Sequence, residues 1–301
     1  MTEFRKHSLR SRLVYTPREL QFGTSGRRGE VIHLSQLEIY INALAELSYL
    51  QTLPKEEGGI TRGDLFYIAY DLRPSSTALV SYQEGRGEIA QAIDRAIRDA
   101  GMETVNLGHL PTPALSAYAF ARRKGSIMIT GSHIPFDRNG YKTNTSRGEL
   151  LKTQEGPIEE AVHVTRQRIY EEPFESSLFN ERGMFKEEHH ELPQVDERAR
   201  VDYIDRYTQF FSDRPLQGQR LLFYQHSAVG RDLFVEILEE LGATVFPCGR
   251  SDTFVPIDTE NIDAEQLAVI QALTNDVVAQ YGPVDAVVST DGDSDRPLLL
   301  G

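Results

Sequence analysis

Gly125–Lys142 reads GSIMITGSHIPFDRNGYK. Ser126–Thr130 (SIMIT) is an apolar run with β-branched members, the pattern of a short buried strand. It delivers Ser132 and His133 just past its end, with glycines at 131 and 140 and a lysine at 142. Glycine at 131 allows close backbone approach to an anion. Lysine can act as a charge partner or, if its pKa falls, as a base. The plain alternative is a loop serine that caps a helix. No Gly-x-Ser-x-Gly elbow surrounds Ser132, which argues against a hydrolase triad.

Working outward, strand-like and helix-like segments alternate. Leu65–Tyr70 (LFYIAY) reads as a strand ending at Asp71. Glu88–Ala100 places Ile89, Ala92, Ile93, Ala96, Ile97 and Ala100 on one helical face, and Gly101 stops it. Thr104–Leu107 is a short strand and Pro113–Arg123 a helix. The charged stretch Glu181–Arg200 (ERGMFKEEHHELPQVDERAR) is nearly free of aliphatics and broken by Pro193, which marks a connector. The alternation then restarts: strand Arg220–Tyr224, helix Arg231–Leu241, strand Ala243–Phe246, helix Ala264–Tyr281, strand Val284–Ser289. This rhythm predicts an α/β protein of two consecutive domains, each a helix-flanked, mainly parallel or mixed sheet. The expected division is a mobile leader at 1–20, a first domain at 21–195 and a second at 196–301.

The last strand runs into DGDSDR, Asp291–Arg296. Three aspartates at alternate positions suit a hard cation with oxygen ligands, Mg²⁺ before Zn²⁺. A solvated acidic turn is the competing reading. An EF-hand is disfavoured, because a strand rather than a helix precedes the loop. Both motifs fall beyond strand C-termini, where open α/β sheets place their ligands. A serine able to carry phosphate and a hard-cation loop together suggest metal-assisted phosphoryl transfer.

Weaker signals remain open. Phe22–Gly29 (FGTSGRRG) is as compatible with a flexible turn as with a phosphate-binding loop. Asp71-Leu-Arg73-Pro-Ser-Ser reads as a structural ion pair or helix cap, and His189 and His190 read as solvent-facing. Cys248 is the sole cysteine, so no internal disulfide framework exists; it fits a reducing compartment and reads as a small core residue. The formal charge of -13 disfavours nucleic acid and anionic membranes as partners. No apolar run approaches the ~18 residues of a membrane span, and the basic start lacks a signal peptide's apolar stretch. The default location is the cytoplasm.

FGTSGRRG, YDLRPSS, LPTPALS with ITGSHIPFDRNGYK, and DGDSDR occur in this order. Through them the chain resembles the α-D-phosphohexomutase family of phosphoglucomutases and phosphomannomutases from about residue 20 onward. The resemblance implies that Ser132 carries a phosphate. It implies Mg²⁺ held by Asp291, Asp293 and Asp295, with the phosphoryl oxygen on Ser132 as fourth ligand. His133 would contact the reacting group and Lys142 would be the general base. Arg28 would be the arginine of the first loop, with Arg27 as the alternative phosphate contact, and Arg296 would reach the phosphoserine loop. The substrate would be a hexose phosphate moved between C6 and C1, with a hexose 1,6-bisphosphate as activator.

Two departures are small: Ile134 stands where the family often has asparagine, and Ser294 replaces a usual glycine. A third is larger. The family's Gly-Glu-x-Ser-Gly sugar loop and Arg-x-Ser-Gly-Thr phosphate loop do not occur, so domains III and IV are expected to be missing. An incomplete fragment of doubtful independent activity is therefore the expectation, with a separate C-terminal half as partner if the gene is split. Two rivals come from other classes. One is a catalytically silent binding protein that keeps the fold. The other, an aspartyl phosphotransferase, would want Asp-x-Asp at its first strand, whereas Asp291 follows the last.

Overall fold

The computed structural model describes residues 7–23, 26–186 and 191–301. His189 and His190 lie outside the described residues. Along the first unit run α1 (Leu9–Arg12), β1 (Arg27–Glu30), α2 (Gln36–Leu50), β2 (Leu65–Tyr70), α3 (Pro74–Thr77), β3 (Leu79–Val80), β4 (Arg86–Gly87) and α4 (Ile89–Asp99). β5 (Glu103–His109), α5 (Thr112–Ala121), β6 (Ser126–Ile129), β7 (Arg138–Asn144) and α6 (Glu155–Glu171) complete it. The second unit holds α7 (Arg198–Phe210), β8 (Arg220–His226), α8 (Arg231–Glu240), β9 (Thr244–Arg250), α9 (Ala264–Tyr281), β10 (Ala286–Thr290) and β11 (Pro297–Leu300).

The first sheet has the order β1-β7-β6-β2-β5 and the second β11-β10-β8-β9. In the first, β6, β2 and β5 are parallel, while β7 and β1 join antiparallel. In the second, β10, β8 and β9 are parallel and β11 returns antiparallel. Both units thus share one scheme. The first parallel strand is central, the second lies on one side, and the third crosses to the other side before an antiparallel hairpin. The mixed α/β architecture anticipated from the alternating segments is the one observed. Each sheet therefore has a switch point, between β2 and β6 and between β8 and β10, where adjacent loops diverge and leave a crevice.

One face of the first sheet is covered by a cluster that includes Ile41, Leu47, Ile93, Ile97, Ile127 and Ile158, contributed in part by α2, α4 and α6. Nearly every side of α2 is buried, with Ser35 capping it through the Glu38 amide. A helix buried nearly all round, with Gln36, Glu38, Asn42 and Glu46 among its buried residues, carries no single 3.6-residue apolar stripe, which is why periodicity did not reveal it. The other face is covered by α5, and a single cluster runs from Tyr67, Leu115 and Met128 to Tyr203, Leu233 and Ile237. The two units therefore share one apolar layer built from α5, α7 and α8.

The connector packs against the first unit: Asn106 donates to the Pro193 carbonyl and the Asp196 amide to the Asn106 carbonyl. It covers part of the exposed edge of β5, where backbone groups would otherwise lack partners. Residues 7–20, expected to form part of a mobile leader, are docked. Leu9 is fully buried in the first core, its amide donates to the Glu172 carbonyl, and the Leu20 amide donates to Glu38 Oε1. The basic composition there hid two apolar anchors, Leu9 and Leu20. Leu9→Ala is expected to lower unfolding free energy by about 2–5 kcal/mol, measured by denaturant titration. A freely moving leader would give no change.

Candidate active site

Ser132 lies just beyond β6 and Asp291 just beyond β10, one at each switch point. Ser132 Oγ donates to Asp291 Oδ2 at 2.7 Å, joining residues 159 positions apart. Ser132 is 1 % exposed and has a φ of 54°, a left-handed conformation that costs a non-glycine residue energy and is common at functional turns. The start of its loop is fixed by Asp71, whose Oδ2 accepts from Thr130 Oγ1 and the Gly131 amide. Thr130 Oγ1 in turn accepts the Ser132 amide at 2.7 Å. Glycine at 131 is demanded by a cation, since a Cβ there would lie 2.6 Å from the Arg73 guanidinium.

The aspartate loop rests on the start of α5. The Thr112 amide donates to the Asp293 carbonyl at 3.0 Å and its Oγ1 to Asp293 Oδ2 at 2.6 Å. A helix N-terminus presents unpaired amides and favours negative charge. Asp291, Asp293 and Asp295 each offer an oxygen, all within 4.8 Å of one another. Asp291 and Asp293 are fully buried. Asp293 Oδ1 has no hydrogen-bond partner among the described residues, and an orphan buried carboxylate oxygen beside two more carboxylates suits a hard cation. The donor set, all oxygen, fits Mg²⁺ better than a softer metal. Ser294 takes φ 61° where glycine would be at ease, and its hydroxyl bonds the Gly230 amide and Thr290.

Lys142 Nζ reaches Asp293 Oδ2 at 3.2 Å and Asp295 Oδ2 at 2.9 Å. Burial works against its charge, yet the two carboxylates outweigh it and raise its pKa. Burial, then the charges of Asp293 and Asp295, push Asp291 up to about 7. Asp293 is buried too, but Lys142 and Thr112 hold it below the ordinary carboxylate range. His133 Nδ1 lies 3.4 Å from Ser132 Oγ. Partial burial, with Arg296 and Arg28 nearby, lowers its pKa, so the imidazole favours its neutral form.

Ser132, His133, Lys142 and the three aspartates therefore converge. Arg28 is part-exposed on β1 opposite Gly140 and close enough to influence both His133 and Arg73. Arg296 is part-exposed beside Asp295 and Glu260. Arg27 does not join them. Its side chain is fully buried, bonded to Glu46, Glu159 and the Leu20 carbonyl, with its guanidinium 3.9 Å from the Phe22 ring centroid. Strand alternation turns it into the core, so it is unsuited to contact substrate. Thr112 and Thr130 were not picked out from sequence, because isolated threonines carry no pattern.

Comparisons with known proteins define the class. Residues 19–168 match the family model for phosphoglucomutase/phosphomannomutase, alpha/beta/alpha domain I. The chain belongs to the α-D-phosphohexomutase family. It is similar to the phosphomannomutase of Salmonella muenchen, with 36 % identity over 280 residues, 93 % of this chain and 50 % of that one. It is 35 % identical to the phosphomannomutase of Sinorhizobium fredii, covering 93 % of this chain and 52 % of that one. A phosphoglucosamine mutase of Rhodospirillum rubrum is 32 % identical over 66 % of this chain and 40 % of its own length. The chain thus spans about half the length of these relatives. A crystal structure of a phosphoglucomutase/phosphomannomutase family protein from Burkholderia thailandensis superposes with a TM-score of 0.63 at 19 % identity, over 92 % of this chain and 53 % of that one, a likeness of fold. Among the described residues no helix is long and apolar enough to cross a membrane.

Asp293→Asn is expected to weaken Mg²⁺ binding at least about tenfold, because it removes one of three anionic ligands; calorimetric titration measures this, and equal affinity would mean a merely solvated turn. Protonation gives a second expectation for the chain in chelator. The folded state retains an Asp291 proton that the unfolded state has released, so this group lowers stability as pH rises from about 4 to 7. Asp293, shifted down, titrates below that window. The buried His226, held to about 4, slopes the opposite way, so Asp291→Asn should be compared with wild type. The variant is expected to gain relative stability across that range.

Proposed function

We propose that the chain serves as a phosphohexomutase, and that its sugar is a mannose phosphate. The observation that carries the activity is the 2.7 Å contact of Ser132 Oγ with Asp291 in the aspartate loop. The greater identity to the phosphomannomutases supports the choice of sugar.

In the proposed reaction a phosphate on Ser132 passes to the free C1 or C6 hydroxyl of a hexose monophosphate. The sugar oxygen–phosphorus bond forms as the Ser132 Oγ–phosphorus bond breaks, and the hydroxyl proton passes to a base. The bisphosphorylated sugar then turns and returns its other phosphate to Ser132. A hexose 1,6-bisphosphate would prime the serine. Phosphoryl transfer needs little covalent help; its demands are alignment and charge compensation. Asp291, Asp293 and Asp295 would hold Mg²⁺, which when bound supplies charge compensation for phosphoryl oxygens. Arg28 and Arg296, part-exposed cations near His133, would meet remaining charge. Neutral His133 can donate or accept a hydrogen bond at the reacting oxygen. Lys142 is held protonated by Asp293 and Asp295 in this arrangement, so its service as base requires those carboxylates to be engaged elsewhere.

Wild-type chain incubated with hexose 1,6-bisphosphate and Mg²⁺ is expected to gain the mass of one phosphate, and Ser132→Ala to gain none. Equal labelling of both would sink the assignment of Ser132. Residues 1–301 match about half the length of their relatives, so these residues assayed by themselves would present only part of a mutase's substrate contacts. Orientation effects reach roughly 7–11 kcal/mol. Steady-state turnover of mannose 1-phosphate in a coupled assay should therefore fall orders of magnitude below about 10 s⁻¹.

A further inference from the structure

We infer that Arg73 is the positioning residue of Ser132, and that Phe254 of the second unit keeps it in that role. Arg73 follows β2 and is 1 % exposed. Its Nη1 donates to the carbonyls of Pro135 and Arg138 at 2.7 and 2.8 Å. Its Nη2 donates to those of Ser132 and Ile134 at 3.1 and 2.5 Å. One guanidinium thus gathers four carbonyls of the turn that carries the nucleophile. Asp71 completes the arrangement from the other side. Its Oδ2 lies 3.3 Å from Arg73 Nε and also accepts from Thr130 and Gly131, at the start of the same turn.

A planar fork with fixed donors suits this bundle of acceptors. Lysine offers three donors on a single point and cannot span it. Arg73 lies beyond the ladder of β2 and β6, whose backbone bonding ends with the Asp71 amide donating to the Ile129 carbonyl at 3.0 Å, and the Asp71 carboxylate takes no part in it. What the pair determines is the path from Thr130 to Arg138, and with it where Ser132 points at its left-handed φ.

The outer face of the guanidinium is covered from across the border. Its central carbon lies 4.0 Å from the centroid of the Phe254 ring, and Phe254 is 8 % exposed. The same ring abuts the aspartate loop: a Cβ on Gly292 would meet Phe254 Cζ at 3.0 Å and the Ser132 carbonyl at 2.7 Å. One aromatic side chain is therefore a common wall for the clamp and the aspartate loop. Cation–π attraction strengthens when the cation is desolvated, so seating the second unit and fixing the serine turn reinforce each other.

The mutase reading enters only through the kinetic part of the test. Arg73→Lys, Phe254→Leu and Phe254→Tyr chains are compared with wild type by hydrogen exchange, by Mg²⁺ titration of unphosphorylated protein, and by the rate at which Ser132 gains phosphate from a hexose 1,6-bisphosphate. Arg73→Lys is expected to speed exchange across 131–139 while β2 and β6 stay protected, to leave Mg²⁺ affinity unchanged, and to slow phosphate uptake about 100-fold, the scale of an ångström misplacement. Phe254→Leu should act in the same direction, more weakly, with Phe254→Tyr between it and wild type. Wild-type loop protection in Arg73→Lys would overturn the proposal. So would faster exchange throughout the first sheet together with lost Mg²⁺ affinity, the signature of a general prop. If Arg73→Lys does not fold, Phe254→Leu decides by the same two measurements. If wild type takes up no phosphate, the mutase reading fails while loop exchange still settles the role of Arg73.

Discussion

The hydrogen bond between Ser132 and Asp291 crosses from one sheet to another, and a contact of 2.7 Å tolerates little relative movement of its two supports. What restrains that movement is the shared apolar layer of α5, α7 and α8, in which Leu115 and Tyr118 pack with Tyr203, Leu233 and Ile237. α5 has two tasks. Its side chains fill the border, and its first residue, Thr112, receives Asp293. Helix packing and loop placement are thus set by the same element, so the aspartate loop cannot drift from the serine without disturbing the core. The shared strand order of the two sheets explains why both loops face one crevice.

Electrostatics is the second constraint. Three carboxylates within 4.8 Å repel one another, and burial strengthens the repulsion. The fold meets part of that cost with the Thr112 hydroxyl, Lys142 and the Asp295 and Arg296 amides, which donate to Asp291 Oδ1. The remainder appears as the raised pKa of Asp291. Such a cluster is poorly explained by stability alone, and perturbed carboxylates in a cleft are characteristic of functional sites. Asp71 and Arg73 form a different kind of pair. It is buried, serves the serine turn, and is built from a dipeptide spacing that in sequence suggested only a local bridge or cap.

Reading the chain in order recovered β2 and α9 at their observed limits, and α4, α5, β6 and α8 to within about two residues of theirs, an ordinary boundary error. α4, α8 and α9 are followed by glycines at 101, 242 and 282, and β2 and β6 are short continuous apolar runs. α2 escaped because its burial is nearly complete. β1, β7 and β11 escaped because their residues, such as Arg138–Asn144, gain strand form from pairing with a neighbour already in place. Leu9 and Leu20 could not be read as anchors, since apolar residues scattered among Arg10, Arg12 and Arg18 make no period.

The sequence by itself determined the α/β alternation, the serine after β6, the aspartate triad after β10 and the family to which these motifs belong, because each is a local pattern of residue type and spacing. It could not separate Arg27 from Arg28. That choice depends on which face of β1 meets the core, and only the pairing of β1 with β7 and the buried carboxylates of Glu46 and Glu159 decide it. Nor could it show that Lys142 meets Asp293, that Thr112 supports the aspartate loop, or that Phe254 covers Arg73. These partners lie about 150 to 180 residues apart in the chain. Their meeting is fixed by the packing of two sheets against one layer of helices, a property of the assembled core and not of any segment within it.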